Sequence, residues 1–202
     1  MSNQLERADF SIIADWVKPG SSVIDLGCGD GTLLAHLKQQ KQVRGYGIEI
    51  EDDDIIASIK NGINVIQMDL NEGLSEFDDH SFDYVILSLT LQALQHPDLL
   101  LKEMLRVGTE GIVTFPNFGN WKGRLQLALG GRMPVTKTLP NTWYDTPNMH
   151  LCTIKDFERL CKQLGFKILE RRAVDQNHES GLGLRLFPNL LAQIALYRFR
   201  RA

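Results

Sequence analysis

Two carboxylates, Asp25 and Asp30, bracket alternating glycines in the stretch Val23-Ile24-Asp25-Leu26-Gly27-Cys28-Gly29-Asp30-Gly31-Thr32. Glycine is needed where a backbone turns with positive φ or must come close to a ligand with no Cβ in the way. A glycine loop that opens a helix commonly cradles pyrophosphate on the helix N-terminus. Here two anions stand where the phosphate would lie, and they oppose it. The third glycine of G-x-G-x-x-G would also fall on Thr32. The expected chemistry is therefore capture of a nucleoside bearing ammonium and sulfonium groups rather than NAD. A further acid, Glu49, follows Asp25 by 24 positions, near the ~20 after which a Rossmann-type unit places its ribose-binding acid. A carboxylate there can accept from both ribose hydroxyls.

These residues need strands and helices to hold them. The β-branched run over 22–26 reads as a strand, the glycines as a tight loop and 31–40 as a helix, the opening of a parallel α/β unit. A second strand over 44–50 ends at Glu49 and Ile50, and a third over 64–70 ends at Asp69 and Leu70. A fourth over 82–88 ends at Ser88. Asp25, Glu49, Asp69 and Ser88 thus all fall at strand ends, where ligands bind in open α/β sheets. The acidic run Glu51-Asp52-Asp53-Asp54 reads as a helix start favoured by the macrodipole, and no histidine or cysteine joins it to suggest a metal.

Further along, His96-Pro97-Asp98 starts a helix over 99–107 with Pro close to its first position, and 109–116 is a fifth strand. Residues 116–150 hold Pro116, Pro134, Pro140 and Pro147 with Phe118, Trp121, Trp143 and Tyr144, and 121–129 has helical spacing. So long a connection implies a lid, a substrate cap or an interaction surface. Thr153 caps a helix over 154–164, stopped by Gly165. A strand over 166–174, a polar loop over 175–181 and a last strand over 191–200 complete the chain, and 5–17 forms an amphipathic helix ahead of it all. The expectation is one domain over 1–202. Its Rossmann-like sheet has seven strands, mostly parallel with an antiparallel last strand, and helices on both faces.

Composition excludes several classes. At 202 residues with 43% hydrophobic and 23% charged side chains, the chain fits a globular protein with a sizeable core. It has no run near the ~20 apolar residues of a membrane span and no signal peptide, so a cytoplasmic location is expected. Cys28, Cys152 and Cys161 form no CxxC pair, so neither a disulfide framework nor a zinc site is suggested. Residues 1–100 hold 6 Lys+Arg against 17 Asp+Glu, leaving 16 against 8 for the rest. The basic residues are scattered, which suits a solvated surface; a basic partner-facing surface is the sharper alternative.

Asp25-Leu26-Gly27-Cys28-Gly29-Asp30-Gly31 resembles motif I of class I S-adenosylmethionine-dependent methyltransferases. That resemblance implies binding of S-adenosylmethionine (SAM) or S-adenosylhomocysteine. Asp69 would accept from the adenine amino group, the Leu70 N–H would meet the ring, and the first helix, with Asp9 and Phe10, would lie over the site. The N/D-P-P-Y pattern of amine methyltransferases is absent after the fourth strand, where Ser88-Leu89-Thr90-Leu91-Gln92-Ala93-Leu94 stands instead.

Beyond the superfamily, the chain resembles the methionine biosynthesis protein MetW family nearly end to end. The likeness is carried by Arg7-Ala8-Asp9, Val23 to Leu34, Gly47-Ile48-Glu49, Leu89 to Ala93, Phe115 to Trp121 and Trp143 to Ile154. It implies a SAM-binding accessory or regulatory subunit beside a homoserine O-acyltransferase. The main alternative is a small-molecule methyltransferase, for which Tyr144, Asp145 and His150 are the candidate catalytic residues. RNA modification is disfavoured, because only Arg198, Arg200 and Arg201 cluster. No G-x-S-x-G elbow is present for acyl transfer by the chain itself.

Overall fold

The computed structural model describes residues 8–136, 138–174 and 182–202. Within them a seven-stranded sheet runs in the order β3-β2-β1-β4-β5-β7-β6. Its strands are β1 (Ser22–Leu26), β2 (Arg44–Glu49), β3 (Val65–Gln67), β4 (Phe82–Ser88), β5 (Gly108–Pro116), β6 (Phe166–Val174) and β7 (Ile194–Arg201). β1 pairs in parallel with both β2 and β4, while β7 runs antiparallel between β5 and β6. From β1 the chain steps outward to β2 and β3, then returns to add β4 on the other side. A crevice therefore opens between the carboxyl ends of β1 and β4, the topological switch point of such sheets.

The central strands are apolar on both faces, as a sheet covered on both sides requires. Val23, Tyr84, Ile86 and Ile112 pack in one layer with Phe10, Ile13 and Trp16 of α1 (Ala8–Trp16) and Leu33, Leu34 and Leu37 of α2 (Thr32–Lys41). Ile24, Leu26, Val85 and Leu87 face the opposite layer, with α4 (Pro97–Val107) and α6 (Ile154–Gln163). α3 (Asp52–Lys60) lies between β2 and β3, and α5 (Trp121–Gly130) follows β5. Trp16 donates its indole N–H to Glu170 (2.9 Å), fastening α1 to β6. Among the described residues no helix is long and apolar enough to cross a membrane.

Two expectations change. The third strand stops at Gln67, because Asp69 caps a 3-10 turn over Leu70–Glu72 and bends the chain away. The last strand begins at Ile194 rather than 191, since α7 (Leu182–Leu186) and α8 (Pro188–Leu191) occupy the preceding segment. Pro188 at the first turn of α8 favours the helix there. The first helix is described from Ala8; its expected residues 5–7 and the expected polar loop over 175–181 lie outside the described residues. The Thr153 cap is present as a full capping box with Asp156.

Candidate functional site

The glycine loop hooks over the end of β2. Gly27 and Cys28 both donate their N–H to the Ile48 carbonyl, at 2.8 and 2.9 Å. Gly27 (φ 68°) has no room for a side chain, since a Cβ there would lie 2.7 Å from the Thr90 Oγ1. Gly29 also has positive φ (55°), but nothing stands within 4 Å of where its Cβ would be. One glycine seals the loop against the turn after β4; the other leaves an open approach to the backbone.

Glu49 is almost wholly buried at the end of β2. Its Oε2 accepts from the Gly29 N–H (2.8 Å), and its Oε1 accepts from the N–H groups of Ile50 (2.7 Å) and Glu51 (3.2 Å). A carboxylate has about four lone-pair sites, so two ribose hydroxyls can both bond only if the longest contact, from Glu51, is exchanged. Asp25, penultimate in β1, is 1% exposed. Asp30 is exposed; its Oδ1 accepts from the Thr32 N–H (3.0 Å) and its carbonyl from the Asn61 amide (2.8 Å).

The mouth is an acidic field. Burial first, then the neighbouring charges of Glu49, Asp30 and Asp53, push the Asp54 carboxyl above its usual value. Such a field favours a cationic ligand over a phosphate. Among the described residues no group of three or more His, Cys, Asp or Glu side chains is gathered to hold a metal ion.

The remaining sequence candidates are placed unequally. The Asp69 Oδ1 accepts from the N–H and the side-chain amide of Asn71, both at 2.9 Å, so part of its capacity serves the local turn. Ile50 exposes half its surface beside Glu49, Leu70 packs against the core, and the Ser88 hydroxyl pairs with Thr114 (3.2 Å). His150 is drawn toward the turn after β4: the N–H groups of Met149 and His150 donate to the Gln92 carbonyl at 2.8 and 3.0 Å. Its Nε2 lies 3.2 Å from the Gln95 carbonyl. Tyr144 and Asp145 sit on an exposed turn closed by the Asp145 N–H to Thr142.

Cys28 turns its thiol inward, 3.7 Å from the Ser58 hydroxyl, so only its backbone borders the loop. Burial, then the Asp25 charge, raises this thiol from 9.0 to about 12. Alkylation by iodoacetamide at pH 8 should accordingly run about a thousandfold slower at Cys28 in the folded protein than in urea, read by peptide mass spectrometry. The same inequality has a stability sign. Cys28, Cys152 and Cys161 are all held at about 12, so the unfolded chain deprotonates first and stability falls as pH rises from 9.0.

Two contributors escape a reading of the sequence. The Ser58 hydroxyl donates to the Gly29 carbonyl (2.8 Å), fixing the loop from α3. Its only signal is one serine on the buried side of an otherwise acidic and isoleucine-rich helix. Thr90 packs on Gly27 from 63 positions away, and no local pattern marks it.

A glycine loop over β1 and acids ending β1 and β2 at the switch point define the Rossmann-like class I methyltransferase fold. A SAM-dependent methyltransferase structure from Archaeoglobus fulgidus has this fold over 99% of this chain and 95% of its own, with TM-score 0.72 at 17% identity. The [4+2]-cyclase SpnF shares it over 95% and 80%, with TM-score 0.66 at 16% identity, so the fold alone does not specify methyl transfer. The chain matches the family "Methionine biosynthesis protein MetW" over residues 7–199 and belongs to it. It is 38% identical to the bifunctional methionine biosynthesis protein MetXA/MetW of Rhodopirellula baltica, over 96% of this chain and 33% of that one. More generally, the chain spans a third to about half the length of the curated relatives it matches.

Proposed function

We propose that this chain, as one domain over 1–202, binds SAM or S-adenosylhomocysteine at the glycine loop and acts with, or regulates, a homoserine O-acyltransferase. The fused MetXA/MetW relative carries the partnership: this chain corresponds to one third of it, and in our reading the remainder corresponds to the acyltransferase. The residues present fit the nucleoside. Gly29 offers open backbone, Glu49 a fixed carboxylate for ribose hydroxyls, and Asp25 and Asp30 an anionic setting for the ammonium and sulfonium groups. Asp69 is the acceptor for the adenine amino group, with Ile50 and Leu70 as apolar neighbours. Ser88 edges the crevice at the end of β4. When bound, SAM carries an activated methyl group; as the pathway's end product it also makes the site a sensor of supply.

The second reading is a small-molecule methyltransferase. It is favoured by the bonds that tie His150 to the turn after β4, the side from which an acceptor would approach. Calorimetric titration of both nucleosides, into the chain alone and with the acyltransferase of the same genome, separates the two. Micromolar SAM affinity, a stable complex and a changed acyltransferase rate are expected. No nucleoside binding would overturn the site assignment. Binding without a complex, together with S-adenosylhomocysteine release on adding a small acceptor, would favour the second reading.

A further inference from the structure

Helix α5 is built to be covered. Of its ten residues only Gly123 is buried. Trp121, Leu125, Leu127 and Leu129 are 44%, 48%, 44% and 80% exposed. A helix this short is marginal in water unless an apolar face packs on something. Its ends are nonetheless well made. The Asn120 side chain accepts from the Lys122 N–H, and Gly131 closes the helix with φ 59° and a bond to the Leu127 carbonyl.

The chain then doubles back. The Val135 N–H donates to the Gln126 side chain (3.1 Å), which sets exposed Met133 and Val135 beside Leu125 and Leu129 as one apolar ledge. The base of this hairpin is rigid. The Asn117 amide donates to the carbonyls of Asn189 (3.1 Å) and Ala192 (2.9 Å), and the Asn120 amide to Leu191 (2.9 Å) and Ala192 (3.1 Å). An apolar ledge held out by a buried hydrogen-bond network is an interaction surface rather than a folding defect.

Charge narrows its occupant. No Asp or Glu lies between Glu110 and Asp145, while Lys122, Arg124 and Arg132 fall on or beside the ledge. The surface that covers it must therefore be apolar at the centre and anionic at the rim. A second copy of this chain offers one such surface in α3, where Ile56 and Ile59 are exposed among Asp52 and Asp53. That contact joins two different faces, and so closes only as a ring or runs on as a filament. The fused relative instead supplies a different protein on the same chain.

We infer that the hairpin from Trp121 to Val135 is the face that receives the acyltransferase, with Leu125 and Leu129 at its centre and Lys122, Arg124 and Arg132 at its rim. The inference rests on the partnership proposed above and adds to it where the partner sits and that its matching surface is acidic.

The test uses the full chain and the acyltransferase of the same genome, with affinity read by calorimetry. Leu129→Glu and Leu125→Glu should each weaken the complex tenfold or more, since both place a carboxylate against an acidic, apolar surface. Neither should alter SAM affinity or the melting temperature, because both side chains are exposed. Ile59→Glu on α3 should leave the complex intact, and raised salt should weaken it through the rim. If wild-type chain binds the acyltransferase and Leu129→Glu binds equally well, the surface is wrong and the partnership stands. If wild-type chain does not bind, both fail. Self-association lost in Leu129→Glu and in Ile59→Glu alike, with no acyltransferase complex, would assign the ledge to a second copy and overturn the inference.

Discussion

Replacing Glu49 by alanine should weaken SAM binding by about 10²–10³-fold in a calorimetric titration. Two hydrogen bonds to a charged carboxylate are each worth ~1.5–3 kcal/mol, and ~3–4 kcal/mol corresponds to that range of affinity. The variant also removes the group on which the loop rests. Without it the N–H groups of Gly29, Ile50 and Glu51 lose their acceptor. Glu49→Gln is the sharper probe, because it preserves shape. Its amide can offer one oxygen to Ile50 and Glu51 or to Gly29, but not to both sides. An NH₂ group must then face an N–H, and the expected loss is about 10–100-fold. An affinity within threefold of wild type for both variants would remove Glu49 from the site.

The sheet was readable because its strands obey simple rules. Val23-Ile24 and Tyr84 to Leu87 are short apolar runs followed by the polar residues Asp25 and Ser88, and burial on both faces leaves few other uses for them. The same logic placed Asp25 and Glu49 at the ends of β1 and β2, since a strand end is legible from where its apolar run stops. The short helices before β7 were not. Leu190 and Leu191 continue into a strand by hydrophobicity alone, and only Pro188 argues otherwise. Asp69 shows a different limit: one residue type serves both as a ligand acceptor and as a cap, and its bond to Asn71, two residues on, is a local turn contact that leaves either use open. The exposure of Trp143 (75%) and Tyr144 (73%) was equally out of reach, because aromatic residues in a long loop read alike whether they seal a core or face outward.

Thr90 is the contributor least visible in the sequence, and its contact with Gly27 makes the second large prediction. Gly27→Ala imposes two separable costs. An L-residue at φ 68° costs roughly 1–2 kcal/mol in backbone strain. The added methyl would also lie 2.7 Å from the Thr90 Oγ1 and 2.8 Å from its Cγ2, so the loop or the turn after β4 must shift. A total of ~2–4 kcal/mol should lower the melting temperature by about 5–15 °C, and the displaced loop should weaken SAM binding at least tenfold. Thr90→Ala deletes both clashing atoms, leaving the Thr90 Cβ position 3.3 Å away. Alone it should cost about 1 kcal/mol, by losing the 3.2 Å bond from its hydroxyl to the Ser88 carbonyl. Combined with Gly27→Ala it should restore the part of the loss that came from collision and none of the part that came from φ. The double-mutant cycle therefore predicts a favourable coupling of ~1–2 kcal/mol in stability and partial recovery of nucleoside binding. Strict additivity would show that the loop and the turn are not packed against each other. Complete recovery would show that Gly27 is needed for space alone.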